Sequence, residues 1–124
     1  MILVDTSIWI DHLRRGDPGL MGLLAAESVV MHPWVLGEIA LGNLAHRTRA
    51  LAILRELPSA PVIASWDVID LIESASLHGL SIGFVDTQLL ACAMATPGLT
   101  LWTRDARLLR AATSLGCAHH PQSD

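Results

Sequence analysis

Ile2-Leu3-Val4-Asp5-Thr6-Ser7-Ile8-Trp9 opens the chain, and its order decides the fold. Three apolar residues form a short strand candidate. Asp5, Thr6 and Ser7 are side chains that cap a helix N-terminus, and Ile8, Trp9, Ile10 and Leu13 then recur as one apolar face. The stretch reads as strand, cap, helix, with a carboxylate at the carboxyl end of the strand.

The same grammar continues downstream. Asp17-Pro18 starts a second helix, with proline in its first turn, that runs to Glu27. Residues 28–31 are a β-branched strand candidate, and His32-Pro33 opens a helix predicted through Leu44. A further helix spans 47–57 and stops at Pro58, and Pro61-Val62-Ile63 is at best an edge strand. Helical spacing of Val68, Ile69, Leu71, Ile72 and Ala75 predicts a helix over 65–77, capped by Ser65 and ended before Gly79. Residues 85–95 form another helix, 99–102 a strand, 105–112 a last helix, and Cys117 lies in a short strand or tail. Strands alternating with helices imply an α/β fold with a mainly parallel central sheet flanked by helices. The 124 residues make about one domain's worth, expected over 1–118 with a polar tail at 119–124.

Composition narrows the function. With 52% apolar and 16% charged residues the chain carries an ample core and is not a disordered protein. Its richest apolar runs, 20–26 and 89–95, fall short of the roughly 20 residues a membrane helix needs. The start lacks the basic region of a signal peptide, so a cytoplasmic location is expected. Net charge is -4 and all eight basic residues are arginine. Without lysine, a P-loop nucleotide site, a haloacid-dehalogenase-type phosphatase and a response-regulator receiver are excluded. An acidic chain that binds nucleic acid must reverse its sign locally, with bound cations or an arginine face. Cys92 and Cys117 make no disulfide framework, and Cys117, His119 and His120 lack the paired second half of a zinc site. Trp9, Trp34, Trp66 and Trp102 sit in apolar strings and read as core or interface anchors.

Isolation is the strongest signal for a site. Asp5 is the sole charged residue among the first ten, Glu38 the sole one between Glu27 and Arg47, and Asp86 the sole one between Glu73 and Arg104. On its helix Glu38 neighbours Trp34, Val35, Leu41 and Gly42, which points it along an apolar stripe. Asp86 shares a face with Leu89, Leu90 and Ala93, at the edge of the core. An unpaired buried carboxylate is costly, so it is normally paired, protonated or bound to a metal. With no cation nearby in sequence, a divalent metal is the economical answer. Asp5 and Asp105 each follow an apolar strand, and ligands of open α/β sheets lie at the carboxyl ends of strands. Taken singly, Asp5 and Asp105 would be ordinary helix caps and Glu38 and Asp86 ordinary helix charges. Together they describe one oxygen-rich site suited to Mg²⁺, with Mn²⁺ able to substitute.

With these four in place the sequence resembles the PIN-domain family, and within it the VapC-type toxins of bacterial toxin-antitoxin systems. The resemblance covers residues 1–109 and is carried by Leu3-Val4-Asp5-Thr6-Ser7-Ile8-Trp9, Gly37-Glu38-Ile39-Ala40-Leu41-Gly42, Gly83-Phe84-Val85-Asp86 with Leu89-Leu90-Ala91, and Leu101-Trp102-Thr103-Arg104-Asp105. It implies a three-layer α/β/α fold and an acidic quartet of Asp5, Glu38, Asp86 and Asp105. Asp5, Asp86 and Asp105 would bind metal, and the hydroxyls of Thr6 and Thr103 would orient the first and last carboxylates. It also implies a homodimer, an antitoxin partner, and cleavage of structured RNA such as tRNA or rRNA to 5′-phosphate and 3′-hydroxyl ends.

Arg14, Arg15 and Arg104 are the preferred RNA contacts, within a wider set that includes Arg47, Arg49, Arg107 and Arg110. An apolar groove for the antitoxin is expected from Ile8, Trp9, His12 and Leu13 with Leu36 and Leu44. The alternatives are a PIN-like module that binds RNA or protein without cutting, and a DNA-directed nuclease with the same acidic chemistry.

Overall fold

In the computed structural model, which describes residues 1–121, the opening octet is a strand followed by a capped helix. Strand β1 is Ile2–Val4, Asp5 is the N-cap, and helix α1 is Thr6–Arg15. The Asp5 carboxylate accepts from the Thr6 N–H at 2.8 Å, satisfying a donor that the helix leaves free. Asp17 repeats the device for α2, Pro18–Ala25, by accepting from Leu20 N–H at 3.0 Å.

Strand β2 is Val29–Val30 and β3 is Thr100–Trp102. The sheet order is β2-β1-β3 and every pairing is parallel, with Ile2 opposite both Val29 and Thr100. Parallel bridges from Met31 to Ser59 and from Leu101 to Ala118 widen the sheet by one residue on each side. The edge strand expected at 61–63 does not form, because Pro61 has no N–H to give a ladder. Instead the Gln88 side chain takes the place of a neighbouring strand. Its Oε1 accepts from Ile63 N–H at 2.7 Å and its Nε2 donates to Ile63 C=O at 2.9 Å.

The remaining helices are α3 (Pro33–Ala40), α4 (Arg47–Arg55), α5 (Ser65–Ser74), α6 (Phe84–Ala95) and α7 (Ala106–Ser114). Helix α3 ends four residues earlier than its apolar pattern suggests. Gly42 is a poor helix former, and the Arg47 guanidinium donates to the carbonyls of Ala40 and Gly42 that the helix end leaves free. Ser65 does not cap α5. Ala64 holds the N-cap position without a side-chain bond, and the helix closes at Ser74 ahead of a left-handed Ser76 (φ 54°).

Helix α6 is the centre of the core, with Thr87 through Ala93 all buried. Among the described residues, the sole buried side-chain polar atom lacking a partner is Trp9 Nε1. No helix among them is long and apolar enough to cross a membrane. Main-chain pairing reaches His119, whose N–H donates to Leu101 C=O at 2.8 Å. Of the polar tail expected over 119–124, residues 122–124 lie outside the described residues.

Candidate functional site

Because β1 and β3 are parallel neighbours, the residues that leave their carboxyl ends meet. Asp5 N–H donates to Trp102 C=O at 2.9 Å, which places Asp5 beside Thr103. The Thr103 hydroxyl donates to Asp5 Oδ2 at 2.7 Å and accepts from Asp105 N–H at 3.1 Å. On the other side the Thr6 hydroxyl donates to Glu38 Oε1 at 2.7 Å. Two threonines therefore join Asp5 to Asp105 and Asp5 to Glu38. Thr6 was expected to orient Asp5 with its hydroxyl. It does so with its backbone N–H, and the hydroxyl holds Glu38 instead.

Asp5 is buried, Asp86 is half-buried in the first turn of α6, and Glu38 and Asp105 are exposed. The exposure of Glu38 differs from its expected place on an apolar stripe. Val35 and Ile39 form the inward face of α3, and Glu38 stands beside that face, at the rim of the site. Asp105 is the N-cap of α7, and its Oδ1 accepts from both Arg107 N–H and Leu108 N–H at 3.0 Å. Its Oδ2 stays free of that duty.

The four carboxylates share one field. Burial raises the Asp86 pKa to about 6, and Asp5, Asp105 and Glu38 add repulsion in that order. Burial also raises Asp5, opposed by its bonds from Thr103 and Thr6 and reinforced by Glu38 and Asp105. Among the described residues no cationic side chain pairs with any of the four. The ion pairs among the described residues join Arg15 to Asp11 and Arg104 to Asp11 and Asp17. Arg104 also lies over the Trp102 ring, 5.3 Å from its centroid. Its bond to Asp17 holds that carboxyl below the ordinary range.

The donor set fits a hard divalent cation in type and charge. It consists of carboxylate oxygens alone, and a carboxylate has about four lone-pair sites. Asp5 commits two of these to Thr6 and Thr103, and Asp86 commits none to a hydrogen bond among the described residues. As the side chains stand, no three acidic, histidine or cysteine groups among the described residues converge closely enough to enclose an ion. The same holds for Cys117, His119 and His120.

Gln88, two residues after Asp86, escaped the reading of the sequence. It looked like a polar residue in an apolar helix, and only the break at Pro61 hinted that a backbone would need a side-chain partner.

Residues 2–113 match the family model described as PIN domain. The chain is also 42% identical over 118 residues to "Ribonuclease VapC32" of Mycobacterium tuberculosis strain CDC 1551 / Oshkosh, and equally to the protein of that name from strain ATCC 25618 / H37Rv. In each case the match covers 95% of both chains.

Proposed function

This chain belongs to the PIN-domain family, and we propose that it is a metal-dependent endoribonuclease, the toxin of a toxin-antitoxin pair, acting on structured RNA such as tRNA or rRNA. The supporting observation is the cluster itself: burial together with the neighbouring carboxylates raises the proton affinity of Asp5 and Asp86, and among the described residues no cationic side chain pairs with Asp5, Glu38, Asp86 or Asp105. A protein keeps such a cluster when the balancing charge comes with a ligand. The Mycobacterium tuberculosis relative, named a ribonuclease, supports the same chemistry.

Mg²⁺ bound here would supply the missing positive charge, polarise a phosphodiester and lower the pKa of an attacking water. The protein's residues do the rest. Asp5, fixed at both oxygens, and Asp86, without a hydrogen bond among the described residues, would hold the ion. Asp105 offers Oδ2 from a carboxylate whose other oxygen is anchored by α7. Glu38 is exposed at the rim, where it would orient or deprotonate the water, and the Thr6 hydroxyl aims it. The products carry 5′-phosphate and 3′-hydroxyl ends. Incubation of the protein with cellular RNA should give such ends with Mg²⁺ and none with EDTA. Cleavage that persists in EDTA would contradict the reading.

Thr103→Val removes the hydroxyl at nearly constant volume and leaves Asp5 Oδ2 and Asp105 N–H without their partner. Groups that orient metal ligands typically contribute 10- to 100-fold in affinity or activity, so Mn²⁺ binding should weaken by roughly that factor. An unchanged Kd in calorimetric titration would show that Asp5 needs no such support.

For the antitoxin, the structure offers a groove of ≈ 320 Å³ lined by Ile10 and Leu13 of α1, Ile39 of α3, and Leu44, Ala45 and Ala50. Ile8 and Trp9, expected to line it, are instead fully buried, and Leu36 faces a separate depression beside Met31 and Arg55. An apolar segment of the antitoxin filling the groove explains why Leu13 and Leu44 are left partly open. Of the arginines proposed to contact RNA, Arg14 stands at the edge of this groove without an ion pair among the described residues. Arg15 is paired with Asp11 and Arg104 with Asp11 and Asp17, and both would have to exchange those partners for phosphate. Exposed Trp66 and Ile69 on α5 give a second copy of the chain apolar surface to pair with. Leu13→Asp should abolish co-purification with the antitoxin while leaving RNA cleavage per folded molecule within about twofold, since Leu13 is only partly buried and touches none of the four carboxylates; a thermal melt of the variant accounts for the packing it loses. Retained co-purification would place the antitoxin elsewhere.

A further inference from the structure

Helix α7 carries a second basic feature that the acidic site does not use. Arg107 and Arg110 stand three residues apart on one face of α7, about half a turn and one and a half turns from the cap residue Asp105. Both are exposed, and neither forms an ion pair among the described residues. They border a cleft of ≈ 370 Å³ whose other wall is the segment from Ala75 to Leu80. Leu77, Leu80, Ala111 and Leu115 give it an apolar floor, and Ser76 and Ser114 add hydroxyls.

We propose that this cleft is a subsite for the RNA strand flanking the cut, with Arg107 and Arg110 holding successive backbone phosphates and the leucine floor receiving a ribose or base. The inference rests on the ribonuclease reading of the acidic site and deepens it. Three observations carry it. First, the position is right: one wall is α7, which begins at Asp105, and the other leads through Ile82 and Gly83 into α6, which bears Asp86. A strand leaving the carboxylates along α7 enters the cleft. Second, the charge is right. The chain is acidic, the carboxylates repel phosphate, and these are guanidiniums that no carboxylate among the described residues neutralises. Arginine matches phosphate by paired N–H donors, so two on one helix face form a track rather than a point. By contrast, Arg104 is tied to Asp11 and Asp17 and Arg15 to Asp11. Third, the cleft is mixed. Unpaired guanidiniums above an apolar floor suit a strand whose backbone is anionic and whose sugars and bases are not.

The test is binding of a fluorescent single-stranded RNA oligonucleotide by anisotropy in EDTA, where metal-dependent cleavage is off, across a salt series. The comparison is wild type, Arg107→Gln/Arg110→Gln, and a control at the end of α4, Arg55→Glu, which lowers the net charge by the same amount. Thermal melts confirm that all three are folded. The cleft pair should weaken binding at least about tenfold, as loss of charge-assisted bonds does, and should flatten the plot of log K against log salt by roughly 1 to 2. The control should leave the slope as it is. Equal losses in both variants would overturn the subsite, because only net charge would then matter. A changed oligomeric state with unchanged RNA affinity would overturn it too, and would assign the face to a second copy of the chain. If wild type cuts RNA and the cleft pair changes neither affinity nor slope, the subsite alone falls. If wild type neither binds nor cuts RNA, the ribonuclease reading falls with it.

Discussion

Asp86→Asn is expected to lower Mg²⁺-dependent RNA cleavage by about a thousandfold or more, since a bound metal contributes several kcal/mol to such a transition state and each 1.36 kcal/mol is tenfold. The same substitution should stabilise the protein when no metal is present. The reason is the sign of the Asp86 shift. Burial and three neighbouring carboxylates raise its pKa from 3.8 to about 6, so the folded state holds this proton more tightly than the unfolded chain. The stabilisation is fully present below pH 3.8 and is lost as pH rises through about 6. Above that the ionised side chain opposes folding. The group is half-buried, so solvent screens part of the effect, and Asn should add about 1 to 2 kcal/mol at pH 7.5. The difference between variant and wild type should shrink as pH falls from 7 to 4. Urea unfolding in EDTA across that range checks it. A variant that is less stable than wild type at pH 7.5 would mean that the carboxylate is structural.

Gln88→Ala should be among the most destabilising single changes in the molecule. Gln88 is fully buried, and its amide bonds both the N–H and the C=O of Ile63 while facing His32 Nε2 at 3.3 Å. Burial keeps the His32 ring neutral by holding its pKa down, and its Nδ1 accepts from Trp34 N–H at 3.0 Å. The proton is then on Nε2 and pointed at Gln88. Alanine leaves these groups without partners and opens a cavity beside α6. Each orphaned buried group costs about 1 to 3 kcal/mol, so a loss of roughly 3 kcal/mol or more is expected in urea unfolding. A loss under about 1 kcal/mol would show that water replaces the amide without penalty. RNA cleavage per folded molecule should change much less, because Gln88 touches none of the four carboxylates.

Much of this molecule could be read from its residues because its signals are local. Ile2-Leu3-Val4 before Asp5, and Leu101-Trp102 before Thr103 and Asp105, are strand-then-cap patterns, and parallel pairing of the two strands brings their ends together. The isolation of Asp5, Glu38 and Asp86 from charged neighbours in the sequence was legible directly, and the fold brings all three, with Asp105, into one field. What could not be read depended on distant partners. Helix α3 stops at Ala40 because Arg47 folds back onto its last carbonyls. Ile63 forgoes a strand because a side chain 25 residues away completes its hydrogen bonds. Glu38 faces solvent because Thr6, rather than the core, holds it. Ile8 and Trp9 were placed on an outer groove because an amphipathic helix does not announce which of its apolar residues is deepest.

The central claim is that four carboxylates without countercharge form one divalent-metal site. Calorimetric titration of metal-free protein with Mn²⁺, with a thermal melt on each sample, tests it directly. Wild type should bind saturably and melt higher as Mn²⁺ is added, because a ligand of the native state alone stabilises it by mass action. Asp5→Asn/Asp86→Asn should remain folded and show neither response. Equal binding and an equal rise in Tm in both proteins would contradict the account.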